Sequence, residues 1–314
     1  MVKERNQRIK SQILPVLAKN IAGALEDKAL DFDGLQEIRL RADKPLVVIY
    51  RGKELFVKGR EGMPVIVTGR DIRETVDYIS SYSLYAYEHE MRQGFITIEG
   101  GHRVGMAGQT VVENQQVKNM KYISSVNVRI SHEVKGCASE VLPYLGKNGD
   151  LCHTLIVSPP RCGKTTLLRD LIRQVSDGCK WVEGMTVGVV DERSEIGGCY
   201  RGNPQNDLGI RTDVLDCCPK AEGMLMLIRS MSPRVLAVDE IGAKEDIQAI
   251  EYALHCGCIM LATAHGASLE ELRRKPLFDE LIARQRFERY VVLSNETRTG
   301  GIIGVYDTNG ARLC

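Results

Sequence analysis

The sequence has few aromatic residues and no excess of charge of either sign. Aromatic residues make up 5% of the 314 residues, Trp181 is the only tryptophan, and 42 lysines and arginines balance 41 aspartates and glutamates. Proteins that thread single-stranded nucleic acid use basic grooves lined with aromatic rings on which the bases stack. The composition therefore disfavours a nucleic-acid channel, and no nucleic-acid partner is expected.

Long apolar runs are also missing from the chain. No stretch reaches the roughly 20 apolar residues that a transmembrane helix needs, and residues 1–8 lack the apolar core of a secretory signal. The ten cysteines include the adjacent pair Cys217 and Cys218, which does not suit a disulfide framework. We therefore expect a cytoplasmic protein without a membrane span of its own.

Two parts of the chain differ in pattern. Before residue 140, short β-like runs are punctuated by glycines, with helical patterns over residues 9–25 and 71–81. After residue 150, apolar strands alternate with amphipathic segments, which is typical of a parallel sheet covered on both faces. The sequence predicts an α/β fold with a smaller N-terminal α/β domain over residues 1–140 and a second domain over residues 141–314.

A phosphate-binding P-loop is predicted between a strand and a helix of the second domain. Its residues are Ser158, Pro159, Pro160, Arg161, Cys162, Gly163, Lys164, Thr165 and Thr166. In such a loop, glycine admits a close approach of backbone N–H groups to phosphate, lysine reaches the outer phosphates, and the threonine hydroxyl ligates Mg²⁺. The usual pattern has glycine where this chain has Ser158. The alternative is an ordinary glycine turn that caps a helix.

An acidic pair supports the P-loop interpretation. Asp239 and Glu240 follow the apolar run 235–238, about 75 residues after Lys164. Because the carboxyl ends of parallel strands meet at one edge of a sheet, the pair is expected to face the P-loop. Asp239 would support Mg²⁺ together with Thr165, and Glu240 would orient or deprotonate the attacking water.

Two other apolar strands also end in ionisable residues. Asp191 and Glu192 follow the run 186–190, and His265 follows the run 259–264. His265 could hydrogen-bond a γ-phosphate, or its ring could simply be satisfied by a neighbouring backbone group. The P-loop half offers Lys164 but no obvious second cation near Glu240. We therefore expect an N-terminal or neighbouring group to supply that charge, with slow hydrolysis as a monomer and faster turnover once assembled.

The order of these motifs resembles the ATPases of type II and type IV secretion and pilus machines. Residues 158–166, 190–196 and 209–233 are similar, more narrowly, to the stage III sporulation AA proteins of endospore-forming bacteria. The resemblance implies a RecA-like P-loop NTPase core, ATP and Mg²⁺ as ligands, and a homo-oligomer, generally a hexamer. It also implies docking on the cytoplasmic face of membrane-embedded channel proteins that link mother cell to forespore.

The same resemblance implies roles for individual residues. Glu240 matches the family's water-activating acid, His265 its histidine box, and Asp191 with Glu192 its aspartate box. The candidate catalytic residues are Glu240, His265 and Glu192. Secretion ATPases also use arginine fingers, cations that reach a nucleotide from the N-terminal side or a neighbouring subunit. The candidates in this chain are Arg103 and Arg129, each of which could equally be a solvated charge on a strand edge, and Arg229, which would lie at a subunit boundary.

Two other functions stay open from the sequence alone. The first is a P-loop ATPase associated with nucleic acid, which salt-dependent binding to single strands would reveal. The second is a nucleotide-binding scaffold that does not hydrolyse ATP, which the departure at Ser158 would permit.

Overall fold

A computed structural model of the chain describes residues 2–28, 30–59, 61–83, 87, 90, 94–113, 116–147, 149–294 and 300–314. The chain forms two compact units, Met1–His132 and Glu133–Cys314. Within the described ranges, no helix has both the length and the apolar character needed to cross a bilayer.

The N-terminal unit combines an antiparallel sheet with helices, three of which have bounds within the described residues. Its sheet has the strand order β4-β3-β1-β8-β7-β6, and β2 pairs with β5 apart from it. The elements are α1 (Val2–Ile13), α2 (Lys19–Asp27), β1 (Leu35–Arg41), β2 (Lys44–Pro45), β3 (Val47–Tyr50), β4 (Lys53–Phe56), β5 (Ile66–Val67), α3 (Gly69–Ile79), β6 (Phe95–Ile98), β7 (His102–Glu113) and β8 (Gln116–Arg129).

Local sequence explains where these helices begin and end. The helical pattern over residues 9–25 is in fact divided, because Pro15 lies in a short 3₁₀ turn (Leu14–Val16) between α1 and α2. Helix α3 begins where Thr68 caps it: the Thr68 hydroxyl accepts from the Asp71 N–H at 3.2 Å, and the Asp71 carboxylate accepts from the Thr68 N–H at 2.8 Å.

One face of the N-terminal sheet is buried and the other is open. Along β1, Ile38 and Leu40 are buried, whereas Glu37, Arg39 and Arg41 on the opposite face are partly or fully exposed. This alternation is the pattern of an antiparallel sheet with a single packed side. Helices α1 to α3 contribute to the apolar core on the packed side.

The C-terminal unit is built on a seven-stranded sheet of order β13-β12-β14-β15-β11-β16-β17. All neighbouring strands run parallel except β16 and β17. The elements are α4 (Leu142–Leu145), β9 (Gly146–Lys147), β10 (Asp150–Leu151), β11 (Thr154–Ser158), α5 (Lys164–Asp177), β12 (Val187–Asp191), β13 (Thr212–Asp216), α6 (Lys220–Ser230), β14 (Val235–Val238), α7 (Lys244–His255), β15 (Ile259–His265), α8 (Leu269–Arg273), α9 (Pro276–Ala283), β16 (Arg289–Ser294) and β17 (Gly301–Asp307).

The central strands of this sheet are covered on both faces. Every residue of β11, β12 and β14 is buried, and two separate apolar clusters lie on the two sides of the sheet. The predicted α/β fold with a parallel, doubly covered sheet is confirmed.

The C-terminal unit begins slightly ahead of residue 140, where the sequence pattern changes. A 3₁₀ turn (Cys137–Glu140) packs against α5, and its Ala138 N–H donates to the Asp170 carboxylate at 2.8 Å. Asp170 is almost fully buried, so this hydrogen bond ties the segment to the C-terminal core.

Candidate active site

The P-loop joins the end of β11 to the start of α5. Arg161 and Gly163 have φ angles of 60° and 79°, and a Cβ on Gly163 would lie 3.1 Å from the Gly300 Cα, so a side chain would fit poorly there. Ser158, in contrast, does not have a positive φ, and its buried hydroxyl donates to the Pro159 carbonyl at 2.9 Å. Serine therefore satisfies the backbone conformation at the position where the usual pattern has glycine.

The two halves of the predicted site lie together. Lys164 Nζ is 2.5 Å from Glu240 Oε1, and the Thr165 hydroxyl donates to Asp239 Oδ2 at 2.6 Å. The side chain of Lys164 is only 7% exposed, so this ion pair is largely shielded from solvent. Each pair joins residues that are far apart in the sequence, by 76 positions for Lys164 and Glu240 and by 74 for Thr165 and Asp239. They meet at the carboxyl ends of β11 and β14.

Strand β15 lies between β11 and β14 and completes this edge of the sheet. The Thr263 hydroxyl donates to Asp239 Oδ1 and accepts from the Glu240 N–H at 2.9 Å. His265 Nε2 lies 3.1 Å from Glu240 Oε1. Thr263 therefore orients both acids, and His265 contacts the one expected to activate water. Glu240 itself has a φ of 54°, an unusual conformation for a residue with a side chain.

A cation that the sequence analysis missed also reaches this acid. Arg193 Nη1 is 3.0 Å from Glu240 Oε2. The expectation that no obvious second cation lies near Glu240 is therefore wrong, since Arg193 contacts it. The spacing along the chain gave no hint of Arg193, because its position depends on β12 lying next to β14 in the sheet.

The loop that carries Arg193 is held by a buried carboxylate. Asp191 accepts hydrogen bonds from the N–H groups of Glu195, Ile196 and Gly197 at 2.7, 2.9 and 2.8 Å. Burial raises the pKa of Asp191 to about 6, although these three hydrogen bonds oppose the shift. The guanidinium of Arg169 adds hydrogen bonds to the carbonyls of Glu195 and Ile196. The contacts of Asp191 are thus structural.

Glu192, the third candidate catalytic residue, points to a different partner. Its carboxylate forms an ion pair with Lys220 Nζ at 2.5 Å, at the start of α6. The Lys220 side chain is 12% exposed, so the pair is partly shielded. The structure thus brings Glu240 and His265 into contact, and it gives Glu192 the Lys220 ammonium as its partner.

The side chains around Glu240 determine the protonation of its carboxyl. Burial alone would raise the pKa of this carboxyl, but the hydrogen bond and charge of Lys164, with His265 and Arg193, outweigh burial and lower the pKa. Glu240 is therefore ionised at neutral pH, as an acid that orients or deprotonates water must be.

The candidate arginine fingers each have surroundings of their own within their unit. On the N-terminal sheet Arg103 and Arg129 are cross-strand neighbours, with Arg103 stacked on Phe95 at 4.4 Å and Arg129 3.9 Å from a Glu37 oxygen. Arg229 is exposed near the end of α6 in the C-terminal unit. None of these contacts involves a phosphate-binding group.

The residues near the P-loop suit a magnesium ion. Thr165 and Asp239 offer a hydroxyl and a carboxylate at adjacent positions, the hard oxygen donors that Mg²⁺ prefers. In the part of the chain that the structure describes, no three His, Cys, Asp or Glu side chains form a metal cluster. Mg²⁺ usually keeps several waters and binds one or two carboxylates together with substrate phosphates.

Comparison with known proteins identifies the family. The family model for sporulation stage III, protein AA matches residues 7–313. The chain belongs to this family. It is 42% identical over 300 residues to the stage III sporulation protein AA of Bacillus subtilis (strain 168), covering 96% of this chain and 95% of that protein. The narrower resemblance given by the motifs is confirmed.

Solved structures support the fold. The chain is similar to the ATPase DotB of Legionella pneumophila, with a TM-score of 0.57 and 15% identity over 88% of this chain and 76% of that one. It is equally similar to the pilus retraction motor PilT with bound ADP, with a TM-score of 0.57 and 14% identity over 90% and 77%. The predicted RecA-like fold is therefore confirmed.

Proposed function

We propose that the chain is a Mg²⁺-dependent ATPase. The observation that carries the proposal is the contact of Lys164 with Glu240 beside that of Thr165 with Asp239. A P-loop lysine, a metal-ligating pair of oxygens and an ionised acid for water are the parts that phosphoryl transfer needs. The fold supports the proposal, since the similar solved structures are an ATPase and a pilus motor with bound ADP.

Each of these residues has a defined task in the proposed reaction. The P-loop N–H groups and the Lys164 ammonium bind the phosphates, while Thr165 and Asp239 hold Mg²⁺, which when bound neutralises phosphate charge. Glu240 orients the attacking water and accepts its proton. His265, in contact with Glu240, holds that carboxylate in position. Glu192 with Lys220 fixes the neighbouring loop.

We also propose that the enzyme works as a homo-oligomer, with a hexamer expected, and powers a membrane-embedded channel between mother cell and forespore during endospore formation. Membership in a sporulation family and a fold shared with a pilus motor support this proposal. In the assembly, Arg103, Arg129 or Arg229 would reach the ATP of another subunit as an arginine finger. The chain would then lie on the cytoplasmic side of the membrane, bound to the channel proteins.

Phosphate release from ATP tests the enzyme proposal. Lys164→Ala should abolish hydrolysis and binding, whereas Glu240→Gln should keep binding and lose hydrolysis by roughly 10² to 10⁴-fold. The matched controls are Lys244→Ala and Glu245→Gln. Both residues are exposed and lie at the start of α7. Equal and negligible rates for wild type and Glu240→Gln, with ATP still bound, would instead favour a non-hydrolysing scaffold.

A further inference from the structure

Two cations and a histidine ring from three different segments converge on one carboxylate. Glu240 Oε1 lies 2.5 Å from Lys164 Nζ of the P-loop helix and 3.1 Å from His265 Nε2 at the end of β15. Its other oxygen, Oε2, lies 3.0 Å from Arg193 Nη1 of the loop after β12. The Glu240 carboxylate thus contacts groups that follow three different strands.

The position of this carboxylate is the one that a terminal phosphate would need. A P-loop lysine binds the outer phosphates, so an ATP γ-phosphate must lie against Lys164 Nζ. Carboxylate and phosphate are both compact anions whose oxygens radiate from one atom. A phosphate held by Lys164 would therefore meet the two cations that now contact Glu240, Lys164 and Arg193, and the two anions would compete for them.

Arg193 combines a fixed backbone with an exposed side chain. Its loop is fixed at the backbone. The Asp191 carboxylate accepts hydrogen bonds from three loop N–H groups, and the Arg169 guanidinium donates to two loop carbonyls. The Arg193 side chain, in contrast, is 64% exposed, whereas the Lys164 side chain is 7% exposed. The anchored backbone keeps the guanidinium within reach of Glu240, while most of the Arg193 side chain is open to solvent.

We propose that Glu240 occupies the γ-phosphate position in the nucleotide-free protein and that Arg193 passes from Glu240 to the γ-phosphate when ATP binds. Arg193 is then the cation, within the same chain, that neutralises charge on the γ-phosphate oxygens. Released from Lys164 and Arg193, Glu240 is free to hold water. ADP, which lacks the γ-phosphate, leaves the contact between Arg193 and Glu240 in place.

The hydrolytic step that this arrangement serves is balanced within the site. The water oxygen bonds to the γ-phosphorus, and the bond from that phosphorus to the bridging oxygen of ADP breaks. The water proton passes to the Glu240 carboxylate. Arg193 stays on the γ-phosphate oxygens throughout, where positive charge lowers the barrier. This inference depends on the proposed ATPase function.

Nucleotide affinities of the full chain separate this role from a structural one. Calorimetry would give dissociation constants for ADP and for a non-hydrolysable ATP analogue, with Mg²⁺, in wild type, Arg193→Ala, Arg193→Lys and Arg201→Ala. Arg201 is a matched control, because it is an exposed arginine on the same connection between β12 and β13. A charge-assisted hydrogen bond predicts that Arg193→Ala weakens binding of the analogue roughly tenfold to a hundredfold.

The selectivity of the effect is the decisive readout. ADP affinity should change less than about twofold in Arg193→Ala, Arg193→Lys should recover part of the analogue affinity, and Arg201→Ala should match wild type. Glu240→Gln should bind the analogue more tightly than wild type, because a neutral amide competes poorly for Lys164 and Arg193. Phosphate release by Arg193→Ala should fall by roughly 10³-fold.

Failure of the inference differs from failure of the ATPase proposal. An Arg193→Ala protein that keeps the wild-type preference for the analogue over ADP would overturn the role of Arg193. A Glu240→Gln protein that binds the analogue no more tightly than wild type would show that Glu240 does not occupy the phosphate position. If wild type bound neither nucleotide, the proposed function itself would fall.

Discussion

The two units of the chain present their charged side chains in different ways. In the C-terminal unit, Lys164, Arg193, Glu240 and His265 come from distant parts of the sequence and meet at one edge of a parallel sheet. In the N-terminal unit, Arg129 and its neighbours are spread over the open face of an antiparallel sheet. Parallel strands end together and so gather functional groups, whereas an antiparallel sheet displays them as a surface.

The largest expected effect tests whether the arginines on the N-terminal sheet take part in ATP hydrolysis. If Arg103 or Arg129 acts as a finger on another subunit's ATP, its replacement by alanine should lower hydrolysis by the assembled protein roughly 10³ to 10⁵-fold. The free energy of unfolding should change by less than about 0.5 kcal/mol for Arg129→Ala, since its ion pair is long and exposed. Phosphate release across a dilution series and denaturant unfolding measure the two effects.

Arg70→Ala is the control for these variants, because Arg70 is an exposed arginine of the same unit on helix α3. Wild-type activity per subunit should fall on dilution as the oligomer dissociates. A rate that stays constant on dilution, together with normal rates in both arginine variants, would mean that the N-terminal surface takes no part in hydrolysis.

A smaller effect concerns the start of the C-terminal unit. Asp170→Ala should destabilise the protein by about 3 to 5 kcal/mol, because it leaves Arg173 without its buried partner and the Ala138 N–H without its acceptor. Asp279→Ala, an exposed change on α9, should cost less than about 1 kcal/mol. Urea unfolding provides both values. Equal costs would contradict the view that Asp170 anchors the segment around Ala138.

The smallest expected effect is a loss of stability in acid that comes from His102 of the N-terminal unit. Burial first, then the charges of His132 and Arg8, lowers the pKa of His102 from 6.5 to about 4. His102 accepts from the Ser131 N–H at 3.0 Å, which requires a neutral Nδ1. Because the folded pKa lies below the unfolded one, stability from this group is present above pH 6.5 and is lost as pH falls towards 4. The loss is on the order of 3 kcal/mol.

Urea unfolding at pH 7 and pH 4.5 checks this prediction in wild type and His102→Gln. The variant should lose less stability on acidification than wild type, since glutamine does not titrate. If the two proteins lost equal stability between these pH values, His102 would not be the group responsible.

Local signals in the sequence were sufficient to predict which strand ends form the core of the candidate site. The apolar run before Ser158 and the acids after Val238 identified two strand ends, and the rules for parallel sheets predicted that they face one edge. Arg193 was missed because only the strand order places its loop beside Glu240.

Two features of the N-terminal unit were missed for other physical reasons. The outer part of strand β8 was not predicted, because residues 117–122 are exposed or partly exposed and lack the alternation of a half-buried strand. The helical pattern over residues 9–25 was predicted as continuous, although Pro15 interrupts it.

The most direct test of the account is the effect of ATP and Mg²⁺ on thermal unfolding. At about 100 times its dissociation constant, the nucleotide should stabilise the wild-type protein by about 2.7 kcal/mol, which raises Tm by roughly 5 to 10 °C. Lys164→Ala should lose most of that shift, while Lys244→Ala should keep it. A full shift in Lys164→Ala would show that the triphosphate binds elsewhere, and the account built on the contact between Lys164 and Glu240 would be wrong.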